Sequence, residues 1–75
     1  MMINSKKIKD RLSDMSMTQK ELAAFVGIAQ PTMNQKINNI RPMTLNEAEN
    51  VARALNISDD ELGVYFFTGE LRRAT

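Results

Sequence analysis

Seventy-five residues, 43 % hydrophobic and 25 % charged, are enough for one small globular domain and too few for a second core. The chain has no Cys and no His, which excludes disulfides, zinc sites built on thiolate or imidazole, Ser-His triads and Cys-His pairs. The net charge is only +1, no apolar run approaches the ~20 residues of a membrane span, and the start lacks the apolar block of a secretory signal, so a soluble, cytoplasmic protein is expected.

Residues in chain order read as helices. In the first segment Ile8, Leu12 and Met15 fall at i, i+4, i+7, with Asn4 or Ser5 as the N-cap. A second helix starts at Thr18, where Glu21 three positions on completes a capping box, and it lines one face with Leu22, Ala23 and Val26. Gly27 suits the left-handed conformation that ends it. A third helix carries Pro31 in its first turn, where a missing N–H is harmless, and places Met33 and Ile37 at i, i+4. Asn38 and Asn39 can close it, at a smaller advantage than Gly. After Arg41-Pro42 a second capping box, Thr44 with Glu47, opens a helix with the stripe Leu45, Ala48, Val51, Ala52 and Leu55. A third box, Ser58 with Glu61, opens a last short helix holding Leu62. The segment Val64-Tyr65-Phe66-Phe67 has β-propensity and reads either as a short strand or as a hydrophobic lid. A compact core over about 5–67 and a flexible tail over 68–75 are expected within this single domain.

Charge is unevenly spread along this frame. Residues 1–43 hold seven basic and three acidic residues, a balance of +4, whereas residues 44–75 hold three and six, a balance of −3. A basic front hints at a polyanionic partner.

The stretch from Gln19 to Asn39 carries the most information. Counting from Gln19, a small residue stands at the fifth place (Ala23) and Gly at the ninth (Gly27). Apolar residues stand at the fourth, tenth and fifteenth (Leu22, Ile28, Met33). The small residue lets two helices cross closely, the glycine permits a sharp turn, and the apolar residues fill the wedge between the helices. With this local signature, the run Thr18–Ile28, the Lys36-Ile37-Asn38 stretch and the segments Thr44–Ala48 and Ala54–Ser58 resemble the helix-turn-helix domains of phage repressors and Cro proteins. The resemblance covers about Lys6 to Leu62. It implies an all-α, five-helix, lambda-repressor-like fold with the second and third helices as the helix-turn-helix, and a short extended C-terminal segment is one of the two readings of Val64–Phe67. Two positions depart from the pattern. Lys36 stands where an apolar residue is common, leaving Ile37 the apolar role, and Asn39 replaces the Gly usual after the third helix.

On a helical wheel Met33 and Ile37 of the third helix face the core. Pro31, Asn34, Gln35 and Asn38 face away, with Gln30 at the start and Thr32 at the rim. No carboxylate occurs from Gln30 to Asn39. Amides can bond bidentately to adenine in the major groove, and a carboxylate would be repelled by phosphates; tolerated surface amides are the plainer alternative. The resemblance implies that Gln19 binds a phosphate, Gln30 reads a base, Asn34 and Gln35 face the groove, and Asn38 and Arg41 contact the backbone. Lys36 is a phosphate contact by charge, while Lys20 reads as a solvated lysine. Lys6, Lys7 and Lys9 are either phosphate contacts or solubilising charge.

The expected function is transcriptional regulation by operator binding in a bacterial host, with no cofactor and no small-molecule substrate. One reading helix covers few base pairs, so a homodimer is expected, and Tyr65, Phe66 and Phe67 are its expected surface, unless these rings close their own core. A modulator that binds a partner repressor on the same fold is the alternative. An enzyme is disfavoured, because no carboxylate pair falls on an apolar cleft. The six methionines have no common spacing and read as gap-fillers, and Asp59-Asp60-Glu61 reads as acids favouring a helix start.

Overall fold

The computed structural model describes residues 2–67; the tail expected over 68–75 lies outside them, as does the side chain of Phe67. The element order is β1 (Met2–Ile3), α1 (Ser5–Asp14), α2 (Gln19–Val26), α3 (Gln30–Ile37), α4 (Leu45–Ala54), a 3-10 turn (Asp59–Glu61), α5 (Leu62–Tyr65) and β2 (Phe66–Phe67). The fold is all-α with five helices, to which one two-residue antiparallel ladder is added.

Helix starts follow the local chemistry of the sequence. Asn4 Oδ1 accepts from Lys7 N–H at 3.3 Å and so caps α1. At α2 the Glu21 N–H donates to Thr18 Oγ1 at 3.0 Å while Thr18 N–H donates to Glu21 Oε1 at 2.9 Å. At α4 the same exchange joins Thr44 and Glu47 at 3.1 and 3.0 Å. Each box satisfies two backbone donors that the helix itself cannot reach. At Ser58 the contacts are longer, with its N–H donating to Glu61 Oε1 at 3.4 Å.

Helix ends share one device. Ser16, Gly27, Asn39 and Asn56 all take positive φ, at 53°, 88°, 62° and 54°. In each case the next residue donates its N–H back five positions: Met17 to Leu12, Ile28 to Ala23, Ile40 to Gln35 and Ile57 to Ala52, at 2.8 to 3.0 Å. This is the 6→1 bond of a Schellman closure, followed by an apolar residue. Only one of the four closures uses glycine. Gly27 needs no extra space, since nothing lies within 4 Å of where a Cβ would stand; its requirement is the positive φ.

Ile8, Leu22, Met33, Ile37, Val51 and Leu55 are fully buried and form the centre. The helical stripes therefore point inward, with two exceptions. Met15 follows the last residue of α1 and is exposed, and Leu45, the first residue of α4, is 68 % exposed. Both stand at helix ends, where the stripe has turned past the facing elements. Leu45 lines the rim of a concavity of about 520 Å³ between α4, the 3-10 turn and α5, together with Ala52, Ile57, Leu62 and Phe66. Arg11 crosses from α1 to the end of α4, donating to Leu55 O at 2.9 Å and Asn56 O at 3.1 Å.

The segment Val64–Phe67 divides. Val64 and Tyr65 complete α5, and Phe66–Phe67 pairs with Met2–Ile3 in the register Met2 with Phe67, Ile3 with Phe66. Tyr65 is 7 % exposed and belongs to the chain's own core, and Phe66 packs half-buried against that core. Of the two readings offered for these rings, a dimer surface or closure of the chain's own core, Tyr65 takes the second position in the single chain. The outer edge of β1 is also filled. Ile3 N–H donates to Asn39 Oδ1 at 2.8 Å, and Asn39 Nδ2 donates to Ile3 O at 2.9 Å. A single side-chain amide thus pairs with both outward backbone groups of Ile3, as a third strand would.

Candidate nucleic-acid interface

The candidate interface is built on the α2–turn–α3 unit. Ala23 and Leu22 are buried where α2 meets its neighbours, and Val26 and Ile28 fill in around them. The left-handed Gly27 then turns the chain within three residues to the start of α3. Met33 and Ile37 are fully buried, which fixes the rotation of α3 and turns its other side outward.

That outer side carries the expected residues. Gln30, Pro31 and Asn34 are exposed, and Thr32, Gln35 and Asn38 are half-buried at its margins. Asn34 Nδ2 donates to Gln19 Oε1 at 2.9 Å, so the first residue of α2 is tied to the middle of α3. This bond leaves the Gln19 amide N–H groups and the Asn34 Oδ1 available, and it fixes which way both amides point. Asn38 is engaged twice, donating from Nδ2 to Asn34 O at 2.9 Å and accepting at Oδ1 from Lys9 at 2.8 Å. Arg41 is exposed in the loop after α3 and makes no ion pair with the described residues.

Lys36 is placed differently from the expectation. Its Nζ donates to Glu47 Oε1 and Oε2 at 2.6 and 2.7 Å, with the two side chains only 12 % and 18 % exposed. Lys36, expected as a phosphate contact by charge, is half-buried and its ammonium is engaged by Glu47 at the start of α4. The Glu47 carboxyl is held below the ordinary glutamate range, chiefly by the Lys36 hydrogen bond and further by the Thr44 backbone, against a burial that pushes it up. Ile37 takes the apolar role that Lys36 gives up.

Asn39 also has a role that its residue type did not announce. It holds the left-handed turn and clamps Ile3, so the end of α3 and the start of the chain are fastened together. Ser5 Oγ donates to Ile37 O and adds a second fastening. The signal in sequence was the Asn in place of Gly; nothing local said what the amide would hold.

Among the described residues no group of three acidic side chains is placed to hold a metal ion, and no helix is long and apolar enough to cross a membrane. A family model described as a Cro/C1-type HTH DNA-binding domain matches residues 7–67, from α1 through β2. Neither a curated protein nor a solved structure matches significantly. With the match spanning most of the chain, and the turn, the buried wedge and the outward face of α3 at the positions described, the chain belongs to the family of Cro/C1-type helix-turn-helix DNA-binding domains.

Proposed function

We propose that this protein is a sequence-specific transcriptional regulator of the Cro or small phage-repressor type, which lays α3 in the major groove of an operator. The observation that carries this reading is the outward face of α3, made of amides, a proline and a hydroxyl, with no carboxylate from Gln30 to Asn39. Gln30 and Gln35 read base edges, with Asn34, Pro31 and Thr32 lining the same face. Gln19 donates to a phosphate from the start of α2, where the helix terminus adds its own donors. Asn38 and Arg41 contact the backbone beyond the end of α3.

One such helix reads few base pairs, so two copies act together on a two-fold site with half-sites about 34 Å apart. Bound across a promoter, such a dimer represses by occlusion.

Selection from a random duplex library tests the reading. Wild-type protein is expected to enrich one motif. Gln30→Ala and Gln35→Ala are expected to lower discrimination at individual positions by about 1–3 kcal/mol. An unchanged motif in both variants would refute the assignment of the reading residues. A wild type that selects nothing alone, yet alters the gel shift of a partner repressor, would replace the reading with that of a modulator.

A further inference from the structure

Three lysines stand on α1, and the structure separates them. Lys6 is matched locally by Asp10 at 2.9 Å, and both are well exposed. Lys7 lies over the Tyr65 ring, 5.5 Å from its centroid. Lys9 leaves its own helix and donates to Asn38 Oδ1 at 2.8 Å, at the far end of α3. No carboxylate of the described residues forms an ion pair with it.

A plain account of Lys9 is a cation placed to satisfy the last carbonyls of α3. Those carbonyls already have partners. Asn34 O accepts from Asn38 N–H and Nδ2, Gln35 O from Ile40 and Arg41 N–H, Lys36 O from Asn39 N–H, and Ile37 O from Ser5 Oγ. Lys9 touches none of them and instead holds a side chain of the candidate interface. Its ammonium has three donors, of which Asn38 takes one.

Its position is also fixed from behind. Ser5 Oγ fastens the start of α1 to Ile37, and Asn39 clamps Ile3 just ahead of it. One string of polar contacts therefore runs Gln19–Asn34–Asn38–Lys9 across three helices. Gln19 joins the string at the middle of α3 and Lys9 joins it one turn further on, at the helix end.

We propose that Lys9 is a DNA phosphate contact, a second anchor from α1 at the end of α3, one turn beyond the residue that holds Gln19. The proposal rests on the reading of α3 as the operator-binding helix. Lys9 adds affinity without sequence preference, and Asn38 orients its ammonium.

Fluorescence anisotropy of the full chain on its selected duplex and on a scrambled one, across a salt series, tests this. Lys9→Gln is expected to flatten the slope of log affinity against log salt by about 0.9, so that between about 50 and about 200 mM salt the wild type loses about 3.5-fold more affinity than the variant. Both duplexes are expected to weaken alike, the melting temperature to stay at the wild-type value, Lys9→Arg to restore the slope and Lys6→Gln to leave it unchanged. A wild-type slope in Lys9→Gln, or an equal flattening in Lys6→Gln, would overturn the proposal while leaving operator reading intact. Wild-type protein that binds no duplex would overturn both.

Discussion

Removing either partner of the Lys36–Glu47 pair should have unequal effects. The pair is half-buried, at 12 % and 18 % side-chain exposure, and both carboxylate oxygens accept from the same ammonium. Glu47→Ala leaves Lys36 half-buried without a counter-charge and also removes half of the Thr44 capping box. The expected loss is about 2–3 kcal/mol, between the values for an exposed pair and for a buried ion left without its partner. Lys36→Met keeps the apolar stem in place. It leaves Glu47 with the Thr44 N–H and the favourable start of α4, so about 1–2 kcal/mol is expected. Urea unfolding of both variants and of Lys36→Met/Glu47→Ala gives the coupling, expected at about 1–3 kcal/mol. Acid adds an independent readout. Because the folded-state carboxyl is held below its ordinary value, the pair's contribution is complete above that value and is lost as pH falls through the depressed one. Between about pH 6 and about pH 3 the wild type should therefore lose an increment of stability that Glu47→Gln does not lose. The DNA assay decides the role: Lys36→Met should leave the salt slope of duplex binding at its wild-type value. A slope flattened by about 0.9 with little loss of stability would refute the reasoning and return Lys36 to the phosphates.

The turn residues give sharper contrasts. Gly27→Ala should cost about 1–2 kcal/mol through its positive φ alone, since a Cβ meets nothing within 4 Å, whereas Asn56→Gly should gain about 0.5–1 kcal/mol at the equivalent place after α4. Thermal melting resolves both, at ~4–8 °C per kcal/mol for a domain of this size. Asn39→Gly keeps the left-handed turn but loses two bonds to Ile3, so a cost of about 1–2 kcal/mol is expected instead of a gain, with faster amide exchange at Ile3. If Asn39→Gly is as stabilising as Asn56→Gly, the clamp contributes nothing.

What the sequence made legible was local. Thr18 with Glu21 and Thr44 with Glu47 are three residues apart, so the chemistry that starts each helix is written within one turn. The stripe through Ile8, Leu12, Leu22, Met33, Ile37 and Val51 was likewise readable, because one period governs spacing and burial together. The helix ends were half readable. Gly27 announces a left-handed residue and Asn56 permits one, but Ser16 adopts one with a side chain that usually avoids it. Their common mark, a polar residue followed by Met or Ile, became visible only once four ends could be laid side by side.

Long-range pairings were hidden for a different reason. Lys36 and Glu47 sit on separate helices, and nothing in the spacing of either tells of the other. Met2 and Ile3 read as a bare start until Phe66 and Phe67 return beside them. In the candidate interface, the residue types of the α3 face were legible from the wheel. The bond from Asn34 to Gln19 and the reach of Lys9 to Asn38 were not. Those contacts depend on how three helices meet, which no single period encodes.

The ladder between Met2–Ile3 and Phe66–Phe67 bears on the order of events during translation. Sixty-three positions separate Ile3 from Phe66, so Ile3 leaves the ribosome long before its strand partner exists. Asn39 emerges far sooner, thirty-six positions after Ile3, and can hold the nascent segment against the finished helix-turn-helix unit. β2 can then zip onto an edge already set in place, rather than searching for a loose one.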